Sequence, residues 1–89
     1  MSENSGTPLD CELAHEASKG SLRAMESLVL RHEARLYRFL LSRMQNPTVA
    51  EDLTQETFII ACRKIHRYNP KFAFTTWLFT IGNRLAASA

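Results

Sequence analysis

Glycine and proline are scarce in this chain, three of each in 89 residues. Each proline falls where a helix could begin or end, and no stretch shows the apolar–polar alternation of a half-buried strand. No internal repeat is visible. No apolar run approaches the roughly 20 residues that a membrane span requires. The first seven residues, Met1 to Thr7, are polar and lack the apolar segment of an export signal, so the expectation is a cytoplasmic protein. There are two cysteines, Cys11 and Cys62, in no CxxC pair, which fits a reducing compartment better than a disulfide scaffold. Cys11 and His15 lie one helical turn apart, but a structural zinc normally takes four ligands and no partners converge on these two. No Ser/His/Asp set, carboxylate pair or glycine-rich phosphate loop stands out. Catalysis, a metal and a cofactor are therefore not expected.

What the chain does have is helical periodicity. Hydrophobic residues make up 45% and charged residues 22%, a globular composition, and the formal net charge is +2. The fold class expected is all-α, a compact bundle of about four helices with one loop before the last. Residues 1–7 read as a tail and 8–89 as the domain, with helices near 8–19, 22–45, 48–67 and 75–88. Thr7 and Pro8 suggest a cap followed by proline at the first helical position, and Gly20 and Ser21 suggest a stop and a new cap. In the second helix Leu22, Met25, Leu28, Val29, Leu36, Phe39, Leu40 and Met44 recur every three or four residues, the signature of one buried face. His32 falls on that side and reads as a partly buried core residue. Thr48 with Glu51 has capping-box spacing, and Thr75 reads as the cap of the last helix.

The third helix presents two arcs. Ala50, Leu53, Thr57, Ile60, Ala61 and Ile65 form a core face, extended by Phe58. Asp52, Gln55, Glu56, Ile59 and Arg63 gather on another. That second arc reads either as a solvated face carrying one apolar residue or as a protein-docking patch, and since charge runs on helices are common the residues alone favour the former.

From Arg63 to Trp77 the chain reads RKIHRYNPKFAFTTW. Cations interleaved with aromatic rings suit single-stranded nucleic acid, the cations holding phosphates and the rings stacking on unpaired bases. Tyr68, Lys71 and Phe72 are the better candidates, because they sit in the loop. Trp77 shares an apolar arc with Leu78, Ile81 and Leu85 and reads as core, and Phe74 as a staple ahead of the cap. Thr76, Phe79, Thr80 and Asn83 point away from that arc, and the hydroxyls and amide among them can line a nucleic-acid path. The last helix carries only Asn83 and Arg84 of the residue types that read a major groove, which speaks against a helix-turn-helix.

The run Ala50-Glu-Asp-Leu-Thr-Gln-Glu-Thr-Phe58, then Tyr68-Asn-Pro, then Phe74-Thr-Thr-Trp-Leu-Phe-Thr-Ile-Gly-Asn83 resembles region 2 of the extracytoplasmic-function (ECF, group 4) RNA polymerase sigma factors. Gly20 ahead of the long helix and Leu36-Tyr37-Arg38 within it also fit. The resemblance implies a transcription initiation factor and not an enzyme. It implies that Asp52, Gln55 and Glu56, with Ile59 and Arg63 beside them, bind the clamp helices of the polymerase β′ subunit, which reverses the reading of that face as merely solvated. It implies that Arg67, Tyr68, Asn69, Lys71, Phe72, Thr76, Thr80 and Asn83 meet the −10 promoter element as it melts, capturing the non-template strand with one base flipped into a pocket. An anti-sigma factor is a further partner it implies. Family members continue with an acidic residue and several arginines where this chain reads Arg84-Leu-Ala-Ala-Ser-Ala89, and carry a second, −35-reading helix-turn-helix domain. The expectation is that this chain is one domain of a longer two-domain protein. The alternative is a sigma-like helical interaction module, held by a regulator and without promoter-opening activity. Gly82 stands where alanine is common and is expected to cost about 1 kcal/mol of helix stability.

Overall fold

A computed structural model describes residues 8–89. Four helices appear: α1 (Asp10–Ser18), α2 (Leu22–Met44), α3 (Pro47–Lys64) and α4 (Phe74–Ser88). A single 3₁₀ turn, Ile65–Arg67, follows α3. No strand occurs among the described residues, so the all-α expectation holds. None of the helices is long and apolar enough to cross a membrane.

Helix ends follow local chemistry. Gly20 takes a left-handed conformation, φ 102°, that side-chain-bearing residues adopt at a cost, and it closes α1. Ser21 then caps α2, its Oγ accepting from the Ala24 N–H at 3.1 Å. Gln45, also left-handed, ends α2, and Asn46 opens α3 by accepting from the Val49 N–H at 3.1 Å, with Pro47 in the first turn. The α3 cap is thus Asn46, not Thr48: an asparagine directly before proline combines the side-chain acceptor with the preset φ of the first helical residue. At α4 the cap is Ala73 with no side-chain bond, and Thr75 lies inside the helix. The expected Thr7 cap lies outside the described residues. Leu9 occupies the cap position of α1, where Glu12 Oε1 accepts from the Leu9 N–H at 2.9 Å.

The core is built from the faces that periodicity picked out, with revisions. Leu28, Leu36, Leu40, Ala50, Ala61 and Leu78 are completely excluded from solvent, and each such leucine stabilises the fold by about 1.5–3 kcal/mol. Leu22, expected in the core, is the first residue of α2 and is exposed. In α4 the buried line is Phe74, Leu78, Gly82 and Ala86, while Trp77, Ile81 and Leu85 flank it half-buried. The reason is Gly82: a Cβ there would lie 3.2 Å from Leu36 Cδ1 and 3.3 Å from Thr57 Oγ1, so the missing side chain lets α4 settle against α2 and α3 together. Phe74 is core and no staple, 2% exposed. Phe79 faces α2, its ring 5.1 Å from that of Phe39.

His32 is buried, and its Nε2 lies 2.8 Å from Asp10 Oδ2. Arg31 donates to Asp10 Oδ1 at 2.9 Å and to the Pro8 carbonyl at 2.8 Å. Asp10 thereby pins the start of α1 to α2 and satisfies the one buried histidine, whose burial without a partner would cost about 1–3 kcal/mol.

Candidate functional site

The segment between α3 and α4 is short and internally tied. The Asn69 carbonyl accepts from the Phe72 N–H at 3.0 Å, and Asn69 Oδ1 accepts from the Lys71 N–H at 2.9 Å. The Tyr68 hydroxyl donates to the Phe72 carbonyl at 2.5 Å. These bonds turn a six-residue loop into a fixed shape, with Lys71 and Phe72 held outward and the Phe72 ring 61% exposed.

Tyr68 is less available than its loop position suggests. Its ring packs edge-on to Phe74 at 5.5 Å and tilts against Trp77 at 5.5 Å. Burial, helped by nearby Cys11 and Asp10, pushes its phenol above the ordinary value, so the hydroxyl stays a donor throughout the neutral range. Trp77 completes the cluster, 5.7 Å from Phe74.

One side of this aromatic cluster opens into a recess of about 340 Å³. Arg67 of the 3₁₀ turn and the loop residues Tyr68, Asn69 and Phe72 form one wall, and Thr76, Trp77 and Thr80 of α4 form the other, with Ile81 and Arg84 at its end. Six of the eight residues expected to meet DNA therefore converge on one concavity. Lys71 is exposed on the same loop, and Asn83 faces a neighbouring groove, where its Oδ1 accepts from Arg43 Nη1. Trp77 was missed by the sequence reading as a wall of this recess, because its periodicity matched a core arc. Arg84 also lines the recess, a place its residue type and position in α4 do not announce.

The acidic residues are confined to one part of the chain, while cations occur throughout. All nine Asp and Glu residues precede Thr57, whereas Arg63, Lys64, Arg67, Lys71 and Arg84 follow it. The recess consequently has no carboxylate in its walls. On α3, Asp52, Gln55, Glu56, Ile59 and Arg63 are all solvent-exposed along one stripe, with Ile59 52% exposed. The opposite arc of the helix, Ala50, Leu53, Thr57, Phe58 and Ala61, is buried. Cys11, His15 and His66 border a small cavity between α1 and the loop, but no three His, Cys, Asp or Glu side chains among the described residues converge as metal ligands do.

Residues 28–89 match the family model described as Sigma-70 region 2. The chain belongs to the sigma-70 region 2 family. Among curated relatives it is 40% identical over 70 residues to the RNA polymerase sigma factor CarQ of Myxococcus xanthus, covering 79% of this chain and 40% of that protein. It is 35% identical over 75 residues to the ECF RNA polymerase sigma factor SigC of Mycobacterium tuberculosis, covering 84% of this chain and 40% of that one. It is 35% identical over 77 residues to the ECF RNA polymerase sigma factor BldN of Streptomyces coelicolor, covering 85% and 29%. The chain thus spans well under half the length of these relatives. A sigma-70 region 2 domain is part of a transcription initiation factor and not an enzyme, in line with the sequence reading.

Proposed function

We propose that this sigma-70 region 2 domain is of the ECF (group 4) kind and performs two tasks in promoter opening. Its α3 stripe docks on the clamp helices of the polymerase β′ subunit. Its loop and α4 hold the non-template strand of the −10 element once the duplex opens. The observation that carries this reading is the recess: a fixed loop and one helix face supply aromatic walls, hydroxyls and two guanidiniums, with no carboxylate to repel phosphate. A flat cavity edged by cations suits one extruded base and its backbone, and unpairing that base is the step the complex then stabilises.

The α3 stripe supports the docking role because nothing in the fold uses it. Ile59 offers exposed apolar area, and Asp52, Gln55 and Glu56 surround it with directional polar groups, the make-up of a small interface centre with a polar rim. An anti-sigma factor is a partner of the same domain, and the place of action is the bacterial cytoplasm.

Asp52→Lys and Glu56→Lys test the docking half. Both side chains are exposed, so the fold tolerates either change, while charge reversal in an interface weakens association about tenfold or more. Pull-down of core polymerase by the variants should fall accordingly. Unchanged recovery of polymerase would remove α3 from the contact.

A further inference from the structure

The aromatic cluster of the recess continues inward beyond it. Phe74 touches Tyr68 and Trp77, and its ring also lies 5.5 Å from the imidazole of His32 in α2, tilted at 38°. His32 is held in turn by α1, where Asp10 Oδ2 lies 2.8 Å from its Nε2. A chain of contacts therefore runs from Asp10, the first residue of α1, through α2 to Phe74, the first residue of α4. The start of α4 lacks a side-chain cap, since Ala73 makes no such bond, so its orientation rests on packing. Phe74 is the only buried residue of that first turn. After burial and Cys11, Asp10 adds to the upward shift of the Tyr68 phenol, so the carboxylate stands close to the cluster.

We infer that Asp10 and His32 are positioning residues for the single-stranded DNA site: Asp10 fixes the His32 ring, His32 fixes Phe74, and Phe74 sets the tilt of Tyr68 and Trp77 in the walls of the recess. The inference rests on the proposed function of the recess and adds to it a supporting element, α1, that shares no residue with it. A carboxylate that already accepts from Arg31 offers His32 only an acceptor, so Nε2 carries the proton and the imidazole keeps one orientation. Without Asp10, a buried N–H loses its acceptor, and the ring must turn to find another. Close packing passes such a turn to the neighbouring ring, and paired rings hold preferred tilts. Arg31 acts differently. It binds the other carboxylate oxygen and the Pro8 carbonyl, fastening α1 to α2 from outside the ring cluster. One arm of the clasp attaches and the other orients.

The test measures two quantities. One is binding of a randomised non-template single strand by the complex of core polymerase with this chain. The other is the fluorescence of the chain alone, where Trp77 is the only tryptophan and reports on the cluster directly. Asp10→Ala should weaken DNA binding about fivefold and shift the Trp77 emission, while recovery of polymerase stays unchanged. Arg31→Gln should alter neither DNA affinity nor emission. In a His32→Phe background, whose ring needs no acceptor, Asp10→Ala should have no further effect on DNA binding. Unchanged affinity with Asp10→Ala overturns the inference. Equal losses with Asp10→Ala and Arg31→Gln, or a full loss in the His32→Phe background, also overturn it and leave Asp10 a fastener of α1. A matching fall in polymerase recovery does the same. If His32→Phe does not fold, the comparison of Asp10→Ala with Arg31→Gln decides alone. Lys71→Ala/Phe72→Ala, measured alongside, separates the two ideas. Weakening by that variant but not by Asp10→Ala leaves the recess reading standing and removes the relay. Indifference to both removes the recess reading as well.

Discussion

The hydroxyl of Tyr68 donates to the carbonyl of Phe72 at 2.5 Å, and that bond fixes the exposed Phe72 ring relative to the wall of the recess. Tyr68→Phe keeps the ring packing against Phe74 and Trp77 and deletes only this bond. Thermal unfolding should show a loss of about 1 kcal/mol. Binding of single-stranded DNA to the polymerase complex should weaken several-fold, since the loop must then be ordered on binding. An unchanged DNA affinity would mean that the loop shape does not depend on Tyr68.

The same residue predicts a pH effect. Its folded-state pKa is raised, chiefly by desolvation, from an ordinary value near 10. A raised pKa means that the folded state holds the proton more tightly than the unfolded chain. The contribution is therefore complete below about pH 10 and is lost as pH climbs through the folded value. Stability measured between pH 8 and about 11 should fall more steeply in the wild type than in Tyr68→Phe. Parallel curves would show that the phenol feels no burial.

Gly82 gives a prediction opposite to the one its helix propensity suggests. Alanine should gain about 1 kcal/mol from propensity. Its Cβ, however, would press on Leu36 Cδ1 and Thr57 Oγ1, both completely buried, and Thr57 is further held by donating to the Leu53 carbonyl at 2.6 Å. Overpacking costs about 1–3 kcal/mol, so Gly82→Ala should be net destabilising by about 1 kcal/mol in denaturant titration. In a Thr57→Ala background the same change should cost less, a coupling that a double-mutant cycle resolves. A stabilising Gly82→Ala in the wild-type background would show that the three helices have room to spare.

Trp77→Ala separates support from contact. A fully buried tryptophan would cost about 3–5 kcal/mol to truncate. Trp77 is only half-buried and gives one face to the recess, so a smaller loss of about 2 kcal/mol is expected, together with weakened binding of single-stranded DNA. A full core-sized loss of stability, with DNA binding intact under folding conditions, would make the residue purely structural.

The elements were legible in the sequence because their signals were local. Gly20, Ser21 and Pro47 punctuate the helices within a residue or two, and the α3 arcs separated cleanly at 100° per residue. What escaped depended on contacts between distant residues. Nothing near Gly82 announces that α2 and α3 press on it, so periodicity turns α4 toward Trp77, Ile81 and Leu85. His32 was recognised as core, but its partner Asp10 lies 22 positions away on another helix. The loop residues of the recess were visible as a basic, aromatic run. Trp77 was hidden because a ring that serves core and cavity at once has the periodicity of core alone.

The most direct test compares affinities of the polymerase complex of this chain for a randomised non-template single strand and for the same pool as duplex. The account predicts at least a tenfold preference for the single strand, abolished by Lys71→Ala/Phe72→Ala, since two stacking and phosphate contacts of this kind carry about 1–3 kcal/mol each. Equal affinity for single strand and duplex, or a preference that survives the double variant, would contradict it.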